Sequence, residues 1–327
     1  MSDLLPLRNK RIVVTGATGL LGRPLCSALA KENEVVAAAR FGDPATADAL
    51  RAERVEPVGF DLQNDDLSVL PASADVVFHL GASTMVAGSA TPEQNHLMEV
   101  NVRATGRLLS RYRSASAFVY ASSGAVYAYQ GGRPVHEEDP LALLPGLEDY
   151  SMSKIAAEQV VQSLAREWRT PTVILRIVGL YSERGGLLAN RVDKVARGEP
   201  VAIRRGAANE TTAMYETDFV EKIIRAPSVA DVPPRVLNFT GTQTVTVPEC
   251  CRLAGELLRT IPRLAQSEEA AHSVLLDTTR MQDALGATSV GVAEGIARVV
   301  EAGPAARLSS WSSWGAGTRP APAGRSS

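Results

Sequence analysis

Parallel strands joined by crossover helices are the architecture this sequence predicts, an α/β fold, and three observations carry that prediction. Short, almost wholly apolar runs rich in β-branched residues alternate with amphipathic stretches through the first half of the chain. A glycine-rich turn, TGATGLLG, lies directly between the first such run and the stretch RPLCSALAKE, which has a helical period. After about residue 180 the alternation gives way to isolated helices. Together they describe a parallel α/β sheet with crossover helices and a smaller domain grown from its end.

The strands are expected at 11–15, 34–39, 54–58, 75–80, 117–121 and 172–176, each nearly all apolar, as strands covered on both faces must be. Beyond them the pattern predicts helices at 189–197, 218–224 and 248–258 and one clear strand at 235–239. Residues 1–180 therefore read as the dinucleotide-binding domain, with about 215–240 returning to it, and 181–303 as mainly substrate-binding. The segment 304–327 is rich in Gly, Pro, Ser and Ala without a period and is expected to be a disordered tail, in which Trp311 and Trp314 stand out.

Composition narrows the function. The 327 residues are 45% hydrophobic and 21% charged with a formal net charge of -2, and no basic stripe points to nucleic acid. Cys26, Cys250 and Cys251 have no metal-ligand spacing and are too few and too placed for a disulfide framework, so a reduced, cytoplasmic setting is expected, with no metal. The first residues contain no apolar core of a signal peptide, and IVVTGATGLLG is too short and glycine-rich to span a bilayer, so no membrane partner is expected.

The chemistry starts in TGATGLLG. Gly16, Gly19 and Gly22 allow a tight turn and close approach of a pyrophosphate to the backbone, whose charge a helix N-terminus favours. Gly16, Thr18, Gly19, Leu20, Leu21 and Gly22 are thus candidate cofactor contacts, against the plainer reading of a turn that binds nothing. Arg40 ends the second strand, where NAD-binding chains place an acid for the adenosine ribose. An arginine offers a fork of donors to a 2′-phosphate instead, so NADP(H) is favoured over NAD(H), with Arg23 beside the turn assisting. Asp43, three residues on, is an acid still within reach of the ribose.

YASSGAV followed by DYSMSKIAAEQ places Ser123 at a strand end and Tyr150 and Lys154 one helical turn apart. A neighbouring ammonium and an oxidised nicotinamide favour phenolate and are expected to lower the tyrosine pKa by about 1–3 units, making Tyr150 a usable acid/base. Ser123 then holds the substrate oxygen while hydride moves at the nicotinamide. His79, at the end of an apolar strand, reads as a core histidine.

On TGATGLLG, Asp61-Leu62, HLGAS, NVRATGRLL, SSGAVY, YSMSK and LRIVGLYS, the chain from about residue 10 to 301 resembles the extended short-chain dehydrogenase/reductase family, the NAD-dependent epimerase/dehydratase group. The resemblance implies an enzyme built on a doubly wound parallel (Rossmann) sheet with a smaller C-terminal α/β substrate domain, with Asp61 at the adenine, Gly81 and Ala82 along the ribose and phosphates, Leu62 and Leu80 beside them, and Lys154 on the nicotinamide ribose. It gives Asn101 the part of the helix asparagine that supports the lysine through a backbone kink and water, and it implies a homodimer through helices 94–113 and 150–169. Ser83, Thr84, Ser123, Arg184 and Asn190 are candidate substrate contacts.

The departures from the family pattern bear on the reaction. Gly124 and Ala125 stand where the similar dehydratases carry an acid pair, so elimination lacks its proton carriers. Thr211 and Thr212 stand where epimerases carry an arginine and an aspartate, leaving Arg184, Arg191, Arg204 or Arg205 to meet a pyrophosphate. With Arg40, that loss favours a ketoreductase-like NADP(H) oxidoreductase, with a nucleotide-sugar 4-epimerase on tightly bound NAD as the alternative. A cofactor-sensing protein without catalysis ranks below both, because Ser123, Tyr150 and Lys154 are all present.

Overall fold

The computed structural model describes residues 7–84, 94–268, 270, 272 and 274–307. Its centre is a seven-stranded sheet of β1 (Arg11–Thr15), β2 (Glu34–Ala39), β3 (Val55–Gly59), β4 (Val76–His79), β5 (Ala117–Ser123), β6 (Thr172–Ile177) and β7 (Arg235–Phe239). The order is β7-β6-β5-β4-β1-β2-β3, and every pairing is parallel. The chain runs outward from β1 to β2 and β3, then crosses back to place β4 on the other side of β1. That reversal opens a crevice at the carboxyl ends of β1 and β4, the place where ligands bind in such sheets.

Strand periodicity explains the two-sided core. In β1, Ile12 and Val14 enter one apolar cluster and Val13 the other, because successive side chains point to opposite faces. The first cluster is closed by α1 (Gly22–Leu29) through Leu25 and Leu29, and by Phe219 and Ile223 from further along the chain. On the other face lie the helix 94–111, here α3, through Leu108 and Leu109, and α4 (Glu148–Trp168) through Ala157, Val161 and Ala165. Pro57 sits in β3, an edge strand, where a missing N–H removes no central ladder bond. Between β2 and β3 runs α2 (Pro44–Ala52).

Past β6 the chain builds α5 (Leu187–Ala196), α6 (Glu216–Arg225), α7 (Val247–Leu258), α8 (Thr279–Leu285) and α9 (Val292–Ala302). The strand at 235–239 is β7, hydrogen-bonded to β6, and α6 just before it packs on the main core. A separate apolar cluster joins α5, α7 and α9 through Leu188, Val192, Cys250, Cys251 and Ile296. Seven strands of two or three residues, such as Leu180–Ser182 and Glu210–Thr212, form three small sheets here. The sequence pattern misses them, because two or three residues are too few for alternation to register.

Pro304–Ala306 forms a helical turn and Arg307 pairs with Asp193 at 2.9 Å, so the expected tail is ordered as far as 307. The rest of it, with Trp311 and Trp314, lies outside the described residues. All three cysteines are buried and free. No helix among the described residues is long and apolar enough to cross a membrane.

Candidate active site

At the crevice the ends of β1 and β4 meet backbone to backbone. Gly16 has φ +70°, and a Cβ there would lie 2.7 Å from the N and Cα atoms of Gly81, so a side chain at 16 has neither the conformation nor the space. Gly81 N–H donates to the Thr15 hydroxyl at 3.2 Å, which holds the two strand ends together. Leu62 covers Gly81 from the side, its Cδ1 within 2.9 Å of where a Cβ would be. Leu80 and Ala82 flank this point, both half-buried. Gly22 opens α1, whose first turn has no side-chain cap, and Arg23 N–H donates to Gly19 O at 3.2 Å. Of the preceding turn Gly19 is exposed, Thr18 and Leu21 are half-buried, and Leu20 is buried.

Around the expected adenosine ribose the charged groups divide. Arg40 is exposed at the end of β2 and has no partner among the described residues. Arg23 is not its helper: it forms a two-pronged pair with Glu53, at 2.5 and 2.9 Å, and bonds Ser27. Asp43 is also spent, since its carboxylate caps α2 by accepting from Ala45 N at 3.0 Å. Asp61 turns back on its own loop, accepting from Gln63 N at 2.9 Å and Asn64 Nδ2 at 3.2 Å.

Ser123 closes β5 and accepts from Ala125 N at 3.1 Å, while its hydroxyl hydrogen-bonds the phenol of Tyr150 in the first turn of α4. The sheet and helix therefore bring together two residues 27 positions apart in sequence (150 − 123). Burial pushes the Tyr150 phenol above its usual value, and the Ser123 bond only partly opposes this. The expected lowering is thus reversed by the protein itself, because the Lys154 ammonium is held elsewhere. Its Nζ donates to Ala121 O at 2.7 Å and to Tyr120 OH at 3.3 Å, 4.8 Å from the centre of the Tyr120 ring. Burial lowers Lys154 to about 8, with Glu158 pulling the other way.

Asn101 lies in a π-helical turn, Met98–Arg103, the kink within α3. Its amide accepts from Ser83 N at 2.8 Å and donates to Ser83 O and Ser153 Oγ, both at 2.9 Å. It so ties the loop after β4 to the helix of Tyr150 and Lys154, a direct clamp alongside the water-borne support that the resemblance implied. Thr84 follows Ser83 at the exposed rim.

The arginines offered for a pyrophosphate scatter. Arg184 pairs with Glu216 at 2.7 Å and donates to Leu20 O at 3.0 Å, which brings the segment after β6 against the glycine turn. Arg191 projects toward Cys250, with Nη1 buried and unpartnered. Arg204 bonds Ala270 O at 2.9 Å, and Arg205 is exposed. Asn190 is half-buried on α5, and Thr211 and Thr212 are buried in a strand paired with Thr244–Thr246. What sequence reasoning passed over is the ring of support behind Lys154: Tyr120, Thr105, Glu158 and Arg176, buried polar groups on core strands and helices. Tyr120 opens the YASS stretch, but only its neighbours showed a chemical use.

Comparison with known proteins bears on all of this. Residues 12–238 match the NAD dependent epimerase/dehydratase family. An uncharacterised UDP-glucose epimerase, YtcB of Bacillus subtilis, is 30% identical over 252 residues, 72% of this chain and 78% of its own. UDP-glucuronate 4-epimerase 1 of Arabidopsis thaliana is 25% identical over 270 residues, and the match spans 62% of that protein's length. Among solved structures, MoeE5 in complex with UDP-glucuronic acid and NAD superposes with a TM-score of 0.76 at 28% identity, covering 89% of this chain and 98% of that one. The chain is therefore an enzyme of the NAD dependent epimerase/dehydratase family, of the extended short-chain dehydrogenase/reductase type.

Proposed function

We propose that this enzyme is a nucleotide-sugar 4-epimerase that works on a retained nicotinamide dinucleotide. The observation that carries the reading is the kinship with a UDP-glucose epimerase at 30% identity over 72% of the chain. The site is consistent with it. An acid next to Ser123 is shut out, since a Cβ on Gly124 would lie 2.1 Å from Val178 Cγ2 and Ala125 is buried, so elimination chemistry has no second proton carrier.

The glycine turn that starts at Gly16, packed against Gly81, and the start of α1 without a side-chain cap fit the diphosphate of a dinucleotide. When bound, that cofactor supplies the acceptor and donor of the hydride. Ser123 holds the sugar hydroxyl, Tyr150 removes its proton and later returns it, and Lys154 holds the nicotinamide ribose. Residues 1–180 with 215–240 serve the cofactor and 181–303 the nucleotide sugar, while two subunits pair through α3 and α4.

A second reading, net reduction of a ketone by NADPH, is favoured by Arg40, unpartnered among the described residues, and by Thr211 and Thr212 in place of the charged pair. One experiment separates the two: proton NMR of UDP-glucose and UDP-glucuronate incubated with the enzyme and NAD. A mixture of C4 epimers with no net change in NADH is expected. Failure to epimerise either sugar, together with stoichiometric NADPH consumption on a ketone, overturns the proposal in favour of the reductase.

A further inference from the structure

Behind Lys154 lies a buried chain of hydrogen bonds whose direction can be worked out proton by proton. The Thr105 hydroxyl donates to Asn101 O at 2.6 Å, one helical turn back, so its single proton is committed. His79 Nε2 lies 2.8 Å from that same oxygen and must donate to it. His79 is wholly buried, and burial brings its pKa to about 3, so the ring is neutral and carries one proton. Its Nδ1, 2.7 Å from the Thr15 hydroxyl, is then the acceptor, and Thr15 in turn accepts from Gly81 N–H. The Tyr120 phenol lies against the Thr105 hydroxyl, and its oxygen accepts from Lys154 Nζ at 3.3 Å. The directed bonds run from Gly81 to Asn101 O, and Tyr120 carries the contact on from Thr105 to Lys154 in the active site.

We propose that Thr15, His79, Thr105 and Tyr120 are positioning residues that set Lys154 against the cofactor crevice through a buried network of hydrogen bonds and contacts. The donor sequence Gly81→Thr15→His79→Thr105→Asn101 ends on a carbonyl, and Tyr120 links Thr105 to Lys154. A proton shuttle needs acceptors that can be vacated, and this chain contains none. The positioning itself holds for either reaction.

The test uses Tyr120→Phe, which removes the phenol oxygen that Lys154 contacts, and the pair Thr105→Val and Thr105→Ser, which respectively delete and restore the hydroxyl. The first readout is the titration of the Lys154 side chain by NMR in the protein without substrate. The groups facing it are Tyr120 and Ala121 O from β5 and Glu158 from α4, the last paired with Arg176 of β6 at 2.7 Å, with neutral His79 of β4 further back. Loss of an oxygen that stabilises the ammonium lowers its proton affinity, by about threefold or more in Tyr120→Phe. The second is steady-state kinetics: kcat falls by about tenfold with KM within about twofold, as expected when a catalytic group is misplaced and substrate binding is not. Thr105→Val follows Tyr120→Phe, and Thr105→Ser restores both readouts. An unaltered Lys154 titration and kcat in folded Tyr120→Phe would overturn the proposal. If that variant does not fold, equal behaviour of Thr105→Val and Thr105→Ser does the same. The titration stands without any epimerase activity, so its failure is distinct from failure of the proposed reaction.

Discussion

The carboxyl ends of β1, β4 and β5 and the segment 180–212, which meets the glycine turn through Arg184, are built on different terms. At the strand ends nearly every polar group is buried and paired: Asn101 makes three hydrogen bonds, Lys154 two, and Thr15 joins β1 to β4. In the later segment the groups offered for substrate stand apart. Arg184 is tied to Glu216, Arg191 keeps an unpartnered buried nitrogen, and Thr211 and Thr212 replace the charged pair of the family. Under the proposed function, the contrast would put the hydride machinery on rigid strand and helix ends, and recognition of the substrate on short strands and loops whose side chains can change without disturbing the sheet.

The largest expected effect breaks the first region. Tyr150→Phe removes the acid/base and lowers kcat by about 10²–10⁴-fold with cofactor content unchanged, which turnover assays with bound-nucleotide analysis will check. Unchanged turnover would end the catalytic assignment of Tyr150. Next, Gly16→Val forces a positive φ and a contact with Gly81 on a β-branched residue, and dinucleotide binding by calorimetry should weaken by at least about tenfold while the second region is untouched.

Smaller effects sharpen the comparison at its boundary. Arg40→Asp should shift the ratio of NADPH to NADH affinity toward NADH by about tenfold, and a ratio that does not move would remove Arg40 from the ribose site. The smallest concerns pH. In the folded protein Lys154 titrates near about 8, below the 10.5 of a free lysine. At pH 7 it is charged in both states, and the folded protein bears the cost of the buried ammonium. As pH rises through 8 the folded group sheds its proton before the unfolded one does, so stability rises. Relative to Lys154→Met, the unliganded enzyme should gain about 1 kcal/mol between pH 7 and 9, read from denaturant melts at the two values.

Much of this molecule was legible in its linear order. The apolar runs marked all six of the nominated strands and, with 235–239, the seventh, because strands covered on both faces cannot hide their composition. The positions of TGATGLLG, Ser123, Tyr150 and Lys154 at strand and helix ends were legible from their local spacing, and their roles rest on the proposed function. The preference for NADP(H) was not secured: Arg40 is uncommitted, but its supposed helper Arg23 is bound to Glu53, and MoeE5 was solved with NAD.

By itself, then, the order of residues determined the alternation of elements, the glycine turn and the candidates for an acid/base set, since each depends on local spacing and residue chemistry. Tertiary structure alone decided where charge and protons sit. Lys154 turns to the Ala121 carbonyl, the Tyr150 phenol is raised by burial, and His79 is held neutral between Thr15 and Thr105. Desolvation and long-range hydrogen bonds depend on which distant segments meet, and His79 meets partners 64 and 26 positions away along the chain.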